Sequence, residues 1–143
     1  MGTLRSSRNA GQALVEFSLT IVIFLVLMMA IVDLGRGIYM FNGVSQASRE
    51  IARVTSVHPG ATFGSSAEIT AVVNTQKGLI PNLGNPVFAC VDIDDSSTAL
   101  VEGKCPKKHR VKVTITAPYG PVTPVMGLIG TWNMSATSTV VMP

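Results

Sequence analysis

The chain has 143 residues, of which 13% are charged and 47% hydrophobic, and its formal net charge is +3. Its mean hydropathy of +0.42 is too high for an ordinary soluble domain, so the composition excludes that class and favours a protein with a membrane segment. The length leaves room for one small domain beyond such a segment.

The chain begins with a short basic leader that is followed by a long apolar run. Two arginines are the only charged side chains before Glu16, and no further charge occurs until Asp33. Because a transmembrane helix needs about 20 apolar residues, residues 12–32 are predicted to form a single span. Positive residues favour the cytoplasmic side, so residues 1–11 are expected to be a cytoplasmic leader and the chain after Asp33 to lie outside.

A removable secretory signal is the competing interpretation of this region, because it has a similar short basic segment and apolar core. Its cleavage site should follow the apolar run as a small-x-small motif. The nearest candidate is Gly35-Arg36-Gly37, which has an arginine in its middle. The sequence therefore favours a segment that stays in the membrane.

Glu16 is the unusual residue of the apolar stretch, since a charge in the bilayer interior costs about 2.5–3.5 kcal/mol. If the chain is cut between Gly11 and Gln12, the new α-amino group lies four residues before Glu16, on the same helix face. An α-amino group has a pKa of about 7.7–8.0, so it would be largely protonated and could compensate the carboxylate. The alternative is that Glu16 marks the headgroup edge of an uncut signal anchor.

Helical periodicity continues beyond the predicted span. Residues 38–57 contain no proline, and apolar or small residues recur there at steps of three and four. The helix should end before His58-Pro59-Gly60, because a proline disfavours the helical conformation of the residue before it. We therefore predict one helix over residues 12–57, about 70 Å long at 1.5 Å per residue.

Three glycines interrupt this predicted helix, at Gly35, Gly37 and Gly43. Each costs about 1 kcal/mol relative to alanine in a helix interior. Glycines also allow another helix to approach closely. We expect both a flexible or partly unwound zone and close helix packing, with tolerated defects as the alternative.

A charged group lies further along the same helix. Arg49 and Arg53 are four residues apart and share a face, and Glu50 lies three residues before Arg53. These side chains could pair with each other or with a neighbouring subunit. Exposed pairs are usually worth under about 1 kcal/mol, so a solvated face is the alternative.

Residues 58–143 are predicted to form a small α+β head outside the membrane. The capping-box pattern Ser65-Ser66-Ala67-Glu68 indicates a second helix from about Ser66 to Lys77. Gly78 is placed to end it. The apolar stripe of this helix consists of Ile69, Val72, Val73 and Ile80.

Beyond Pro81 the pattern alternates between apolar and polar residues, which indicates β-strands. The first predicted strand has one face made of Val87, Ala89, Val91 and Ile93. The second has an apolar face of Val111, Val113, Ile115 and Ala117. These strands are expected to form a hairpin, and a proline- and glycine-rich passage at 118–130 leads to a last strand around 134–141.

Cys90 and Cys105 are the only cysteines, and both lie in the predicted head. In an oxidising compartment they would pair, and closing a loop of about 15 residues is worth roughly 3 kcal/mol. Two free thiols are the alternative. A zinc site is not predicted, because neither a second cysteine pair nor a suitably spaced histidine is present.

Residues 8–53 resemble the TadE-like family of pilin-related proteins of tight adherence (Tad) pilus systems. The resemblance is carried by three motifs: Gly11-Gln12-Ala13-Leu14-Val15-Glu16-Phe17, Asp33-Leu34-Gly35-Arg36, and Asn42 with Ala47-Ser48-Arg49-Glu50-Ile51-Ala52-Arg53. It implies that a prepilin peptidase in the inner membrane cuts after Gly11. It also implies that the product enters or primes a filament built by secretion-type machinery, and that Glu16, followed by Phe17, is the glutamate needed for assembly. Ile51 departs from the family, whose members usually carry glycine there.

The sequence predicts no catalytic site, cofactor or metal site. The two histidines form no Ser/His/Asp or Cys/His arrangement. Asp92, Asp94 and Asp95 lack the full pattern of a calcium loop and are interpreted as a solvated turn. The basic run at 107–110 is interpreted as a solvated strand flank, with anionic lipid, polysaccharide or an acidic protein as alternative contacts. A phosphate-binding loop and a nucleic-acid signature are both absent.

These observations together predict a minor pilin or pseudopilin of pilin-like α+β fold that serves a Tad-type adhesive pilus. It would be a single-pass inner-membrane protein with a cytoplasmic N-terminus and an external head. The predicted partners are prepilin peptidase, other pilins or pseudopilins, the inner-membrane platform and the membrane, but no nucleic acid. Helix packing or hinging is assigned to Asp33, Gly35, Arg36, Gly37, Gly43, Arg49 and Arg53. The alternative function is an uncleaved membrane-anchored binding protein of the envelope.

Overall fold

The computed structural model describes residues 4–92, 97–98, 103–123, 127 and 130–143, and for residues 4–10 and 97–98 it describes the backbone alone. The elements are α1 (Leu4–Val57), α2 (Ala67–Leu79), β1 (Val87–Val91), β2 (Ser97–Thr98), β3 (Arg110–Tyr119) and β4 (Trp132–Val141). The α+β class is confirmed, with a long N-terminal helix, one further helix and a short antiparallel sheet.

α1 is a continuous helix of 54 residues, about 80 Å long at 1.5 Å per residue. It ends at Val57, as the following His58-Pro59-Gly60 predicts, but it begins at Leu4 and so includes most of the predicted leader. Within Gly11–Val57 it contains a window of mean hydropathy 2.7, none of which is buried by the rest of the chain. By length and composition α1 can therefore cross a membrane, which indicates a membrane anchor.

Only the second half of α1 packs against the head. Val44, Ala47, Ile51 and Val54 recur at helical steps and are all buried, whereas the side chains of residues 11–20 are all exposed. The buried stripe lies on the sheet, where alternate residues of β3 face it. These buried β3 residues are Val111, Val113, Ile115, Ala117 and Tyr119.

The sheet has the strand order β2-β1-β3-β4, and every neighbouring pair is antiparallel. The predicted hairpin is confirmed by the pairing of β1 with β3, in which Cys90 lies opposite Val111. The last strand begins at Trp132, opposite Tyr119, and runs to Val141, opposite Arg110. β3 therefore carries the chain from the Val57 end of α1 to the neighbourhood of Asp33.

The inward face of β1 differs from the prediction. Val87 is 64% exposed, whereas Cys90 is buried and Phe88 packs against the core. The buried cysteine sets the phase of the strand, and Phe88 on the same face stacks on Phe63 with ring centroids 5.1 Å apart. Val91 is buried as expected, and Ile93 lies outside the described residues.

The predicted capping box of α2 does not form. Ser66 is the N-cap residue, but its side chain makes no capping hydrogen bond. The helix also continues past Gly78 to Leu79, and Ile80 follows in an extended conformation. Burial of Ile69 and Val73 against the core, as the apolar stripe predicts, holds the helix in place without the cap.

Cys90 and Cys105 form the predicted disulfide, with their Cα atoms 5.5 Å apart. Both residues are buried in the core cluster. The covalent link joins β1 to the segment that precedes β3. Asp94 and Asp95, which the sequence places in a solvated turn, lie outside the described residues.

Candidate functional site

The first part of the candidate site is the segment around Glu16 on the exposed surface of α1. Gln12 Nε2 donates a hydrogen bond to Glu16 Oε1 at 3.0 Å, one helical turn away. Phe17 beside them is 66% exposed. Apart from the backbone of α1 itself, no atom of the described residues lies within 4 Å of the position that a Cβ on Gly11 would occupy. Groups at positions 12 and 16 therefore meet on one open face of the helix.

The surface that continues from Phe17 is apolar and exposed. Its large side chains find no cover in the described part of the chain. The most exposed of those between residues 14 and 32 are Leu14, Val15, Phe17, Leu19, Val22, Ile23, Leu27, Ile31 and Val32. Such a surface needs lipid or other helices around it, because exposed apolar patches of this size mark membrane or protein contacts.

The second part of the site is a junction around Asp33, the first charged residue after the predicted span. Asp33 is only 3% exposed. Its Oδ1 accepts a hydrogen bond from the backbone N–H of Val122 at 3.1 Å. Its Oδ2 accepts one from the N–H of Thr123 at 3.0 Å and one from the Thr123 hydroxyl. The carboxylate thus holds the first residues of the β3–β4 connection.

Tyr119 completes the junction from the end of β3. Its hydroxyl donates a hydrogen bond to the backbone carbonyl of Asp33 at 2.7 Å. The Tyr119 ring lies 5.4 Å from the ring of Trp132, the first residue of β4. The start of the β3–β4 connection is therefore fixed to α1 at Asp33, and its end packs on Tyr119.

The environment of Asp33 favours the ionised carboxylate. The Thr123 hydroxyl hydrogen bond is the largest cause that lowers the pKa of Asp33, and burial opposes it. The N–H groups of Val122 and Thr123 and the positive charge of Arg36 lower this pKa further, so it lies below its ordinary value. Arg36 Nη1 is 3.6 Å from Asp33 Oδ1, and its side chain is 51% exposed.

The three glycines predicted to pack or hinge lie in continuous helix with different surroundings. A Cβ on Gly37 would lie 3.7 Å from both Tyr119 and Met134, and a Cβ on Gly43 would lie 3.5 Å from Ile80. A Cβ on Gly35 would meet no side chain or other element among the residues that the structure describes. Two of the three positions therefore face the head of the same chain.

The charged group near the end of α1 pairs within the helix. Arg53 donates two hydrogen bonds to the carboxylate of Glu50, at 2.9 and 2.7 Å. The hydrogen bond from Arg53 lowers the pKa of Glu50, burial opposes this shift, and the positive charge of Arg53 adds to it. Arg49 is exposed beside this pair. Because the pair is on the surface, it contributes less than about 1 kcal/mol to stability.

The sequence singled out Asp33 but missed Tyr119 and Thr123, which are 86 and 90 residues away along the chain. The available signals were the lone carboxylate at the end of the apolar run and the uncharged connection between the two strands. Neither signal predicts that the end of the apolar run contacts the connection between β3 and β4. Among the described residues, no group of three or more His, Cys, Asp or Glu side chains could hold a metal ion.

Comparison with known proteins gives a family match for the first part of the chain. The model of a family described as TadE-like protein matches residues 11–53, which include Glu16, Asp33 and the Glu50–Arg53 pair but not the partners of Asp33 in the head. No curated protein and no solved structure matches the chain.

Proposed function

We propose that this chain, whose residues 11–53 match the model of TadE-like proteins, is a minor pilin or pseudopilin of a Tad-type adhesive pilus. In this proposal prepilin peptidase cuts after Gly11, and the mature chain enters or primes the filament. The N-terminus lies in the cytoplasm and the head outside the bacterial inner membrane. The role is structural and not enzymatic, and the partners are the peptidase, other pilins and the inner-membrane platform.

The observation that carries the proposal is the contact between positions 12 and 16 on an exposed face of α1. Gln12 already reaches Glu16 at 3.0 Å through its side chain. A cut after Gly11 would add a positive α-amino group at the same end of the helix. Glu16 would then lie about one turn from the new start of the helix, where the helix dipole still favours a carboxylate.

Charge compensation explains how such a helix could leave the bilayer and join a bundle. The amine of Gln12 and the carboxylate of Glu16 can pair within one subunit or between neighbours, which reduces the cost of burying either charge. Helix-to-helix contacts would replace lipid around the apolar side chains. The side chains we assign to these contacts are Phe17, Ile21, Phe24 and Leu25.

The N-terminal residue of the membrane-bound protein tests the cut. Intact mass or N-terminal sequencing should show a chain that begins at Gln12 in cells with active prepilin peptidase. Gly11→Leu should remain uncut, and because a Cβ at this position meets no other part of the described chain, that result would not reflect a clash with the head. A wild-type chain that begins at Met1 in such cells would favour the uncleaved membrane-anchored binding protein instead.

The charge-compensation step makes a separate prediction for Glu16. Glu16→Ala and Glu16→Gln should insert into the membrane normally but enter filaments several-fold less than the wild type, because both lack the negative charge. Ser18→Ala is the matched control, since Ser18 is also exposed and its hydroxyl donates a hydrogen bond within the helix, to the carbonyl of Val15. Normal incorporation of Glu16→Gln, measured by immunoblot of sheared filaments, would show that the charge is not needed.

A further inference from the structure

We infer that the head itself binds the bilayer surface through the end of the sheet that lies beside Asp33. In this inference Val122 and Trp132 lie at the boundary between headgroups and acyl chains, in the leaflet from which α1 emerges. The inference rests on the proposed membrane crossing of residues 12–32 and does not depend on a role in a pilus.

The Asp33 junction sets the height of this surface. Asp33 follows the uncharged run 17–32, so a helix that spans the bilayer places it at the edge of the hydrocarbon. The N–H groups of Val122 and Thr123 are bonded to its carboxylate, at 3.1 and 3.0 Å. The β3–β4 connection therefore starts at the level where the membrane ends.

Trp132 lies within about two helical turns of the same level. Its ring is 5.4 Å from that of Tyr119. The Tyr119 ring in turn extends from the Asp33 carbonyl to the neighbourhood of Gly37, one turn further along α1, where a Cβ would be 3.7 Å from it. Because one helical turn rises about 5.4 Å, Trp132 is close enough to the level of Asp33 to reach the headgroup layer. Tryptophan is enriched at this depth in membrane proteins.

The surface at this end of the head is apolar. Val122 is 71% exposed and Leu34 is 64% exposed, while Trp132 retains 38% of its surface. The sequence from Tyr119 to Met134 contains no charged residue. The exposed guanidinium of Arg36 lies next to the junction, where it can meet a lipid phosphate. The surface is continuous with the apolar side of the span, so lipid is the partner that fits it.

Trp132 is the only tryptophan in the chain, so its fluorescence reports on this surface alone. The full chain would be reconstituted at low density in phosphatidylcholine vesicles whose lipids carry bromine at defined depths. Bromine near the headgroup should quench Trp132 at least twofold more than bromine near the bilayer centre. Val122→Glu should reduce the shallow quenching at least twofold, because it places a charge in the apolar contact.

Val141→Glu is the matched control for this substitution. Val141 is also exposed, at 57%, but it lies at the end of β4 opposite to Trp132. Trp132 should therefore be quenched in this variant as in the wild type. Near-UV circular dichroism establishes whether the head of each variant is folded. If Val122→Glu does not fold, Val122→Ser takes its place in the experiment. Because serine adds no charge, Val122→Ser should give a smaller loss of quenching.

Three outcomes would overturn the inference. If the protein floats with the vesicles but bromine at no depth quenches Trp132, the helix anchors the protein and the head does not bind the bilayer. Trp132 that becomes shielded only as protein density rises would assign the surface to a second copy of the chain. Protein that does not float would remove both the head contact and the proposed crossing.

Discussion

At the residue scale, Asp33 joins two parts of the chain that are distant in sequence. Its carboxylate binds two backbone N–H groups and a hydroxyl of the β3–β4 connection, and its carbonyl binds Tyr119. Hydrogen bonds to a charged acceptor are stronger than neutral ones. A single buried carboxylate therefore fixes the head to the helix where the predicted span ends.

This arrangement predicts a pH dependence of stability. The pKa of Asp33 is lower in the folded protein than its ordinary value of 3.8, chiefly because of the Thr123 hydroxyl. The stabilisation is therefore fully present above the ordinary pKa and is lost as the pH falls through the folded pKa. The melting temperature of the detergent-solubilised protein should fall more between pH 5 and pH 2 in the wild type than in Asp33→Asn.

The comparison of the two proteins isolates Asp33. The pKa of Glu50 is also lowered, so acid removes the stabilisation by ionised Glu50 from both the wild type and Asp33→Asn. Only the difference between their losses of melting temperature therefore reports on Asp33. At neutral pH, Asp33→Asn should melt at a lower temperature than the wild type. Equal losses of melting temperature on acidification would contradict the assignment.

The sequence predicts the contacts of the site that join residues close together in the chain, but not those that join distant residues. Glu16 and Gln12 are one turn apart, so helical geometry alone brings them together, as the structure shows. The partners of Asp33 come from a connection whose position depends on the whole sheet. No local pattern encodes that contact, which is why Tyr119 and Thr123 were missed.

At the scale of elements, α1 is one helix with two environments. Residues 11–20 are exposed, whereas Val44, Ala47 and Ile51 are buried against the sheet. The glycines lie near the change between these environments. Gly37 faces the end of the sheet at close range, and a Cβ on Gly35 would meet no side chain or other element among the described residues.

Leucine substitutions at the two glycines should therefore have opposite effects. Gly35→Leu should stabilise the helix by up to about 1 kcal/mol, because leucine is the better helix former and meets no neighbour. Gly37→Leu should destabilise the head by about 1–3 kcal/mol, since its side chain would enter the space held by Tyr119 and Met134.

Chemical unfolding followed by near-UV circular dichroism measures both effects in the same detergent. Each variant serves as the control for the other, because the substitution is the same and the positions are two residues apart. Equal stabilities of the two variants would show that the sheet does not restrict Gly37.

The two wrong predictions about α2 and β1 have a common cause. The capping-box motif of α2 and the alternation in β1 are local patterns, and tertiary packing overrode both of them. Ile69 and Val73 hold α2 without a side-chain cap, and the buried Cys90 sets the inward face of β1. Where the local pattern and the packing agree, as in the buried face of β3, the sequence predicted the strand correctly.

At the scale of the whole molecule, the chain has two different parts. The N-terminal half of α1 contributes nothing to the described core, whereas the head is built around one hydrophobic core. That core includes both disulfide cysteines together with residues of α1, α2, β1 and β3. The length of the apolar run, the helix end at Val57, the hairpin and the disulfide all follow from the sequence. The position of the head against α1 does not.

Reduction of the disulfide should destabilise the head but not the membrane half of α1. Losing the link between Cys90 and Cys105, which are 15 residues apart, should lower the free energy of unfolding by about 3 kcal/mol. Denaturant titration with and without reductant measures this loss through the near-UV signal.

The helical signal in the far-UV range should retain the contribution of the lipid- or detergent-covered helix after the head unfolds. A Cys90→Ala/Cys105→Ala double variant should match the reduced protein and should not respond to reductant. An equal stability of oxidised and reduced protein would show that the link does not stabilise the head.

The continuity of α1 has a mechanical consequence. Because one unbroken helix runs through Asp33 to Val57, with the head packed along it, the rod and the head must tilt together. Transmembrane helices tilt by about 20° on average, and over the roughly 36 Å between these residues such a tilt moves the far end sideways by about 12 Å. Bilayer thickness is one of the factors that change the tilt, so a change in thickness would also move the tip of the head above the membrane.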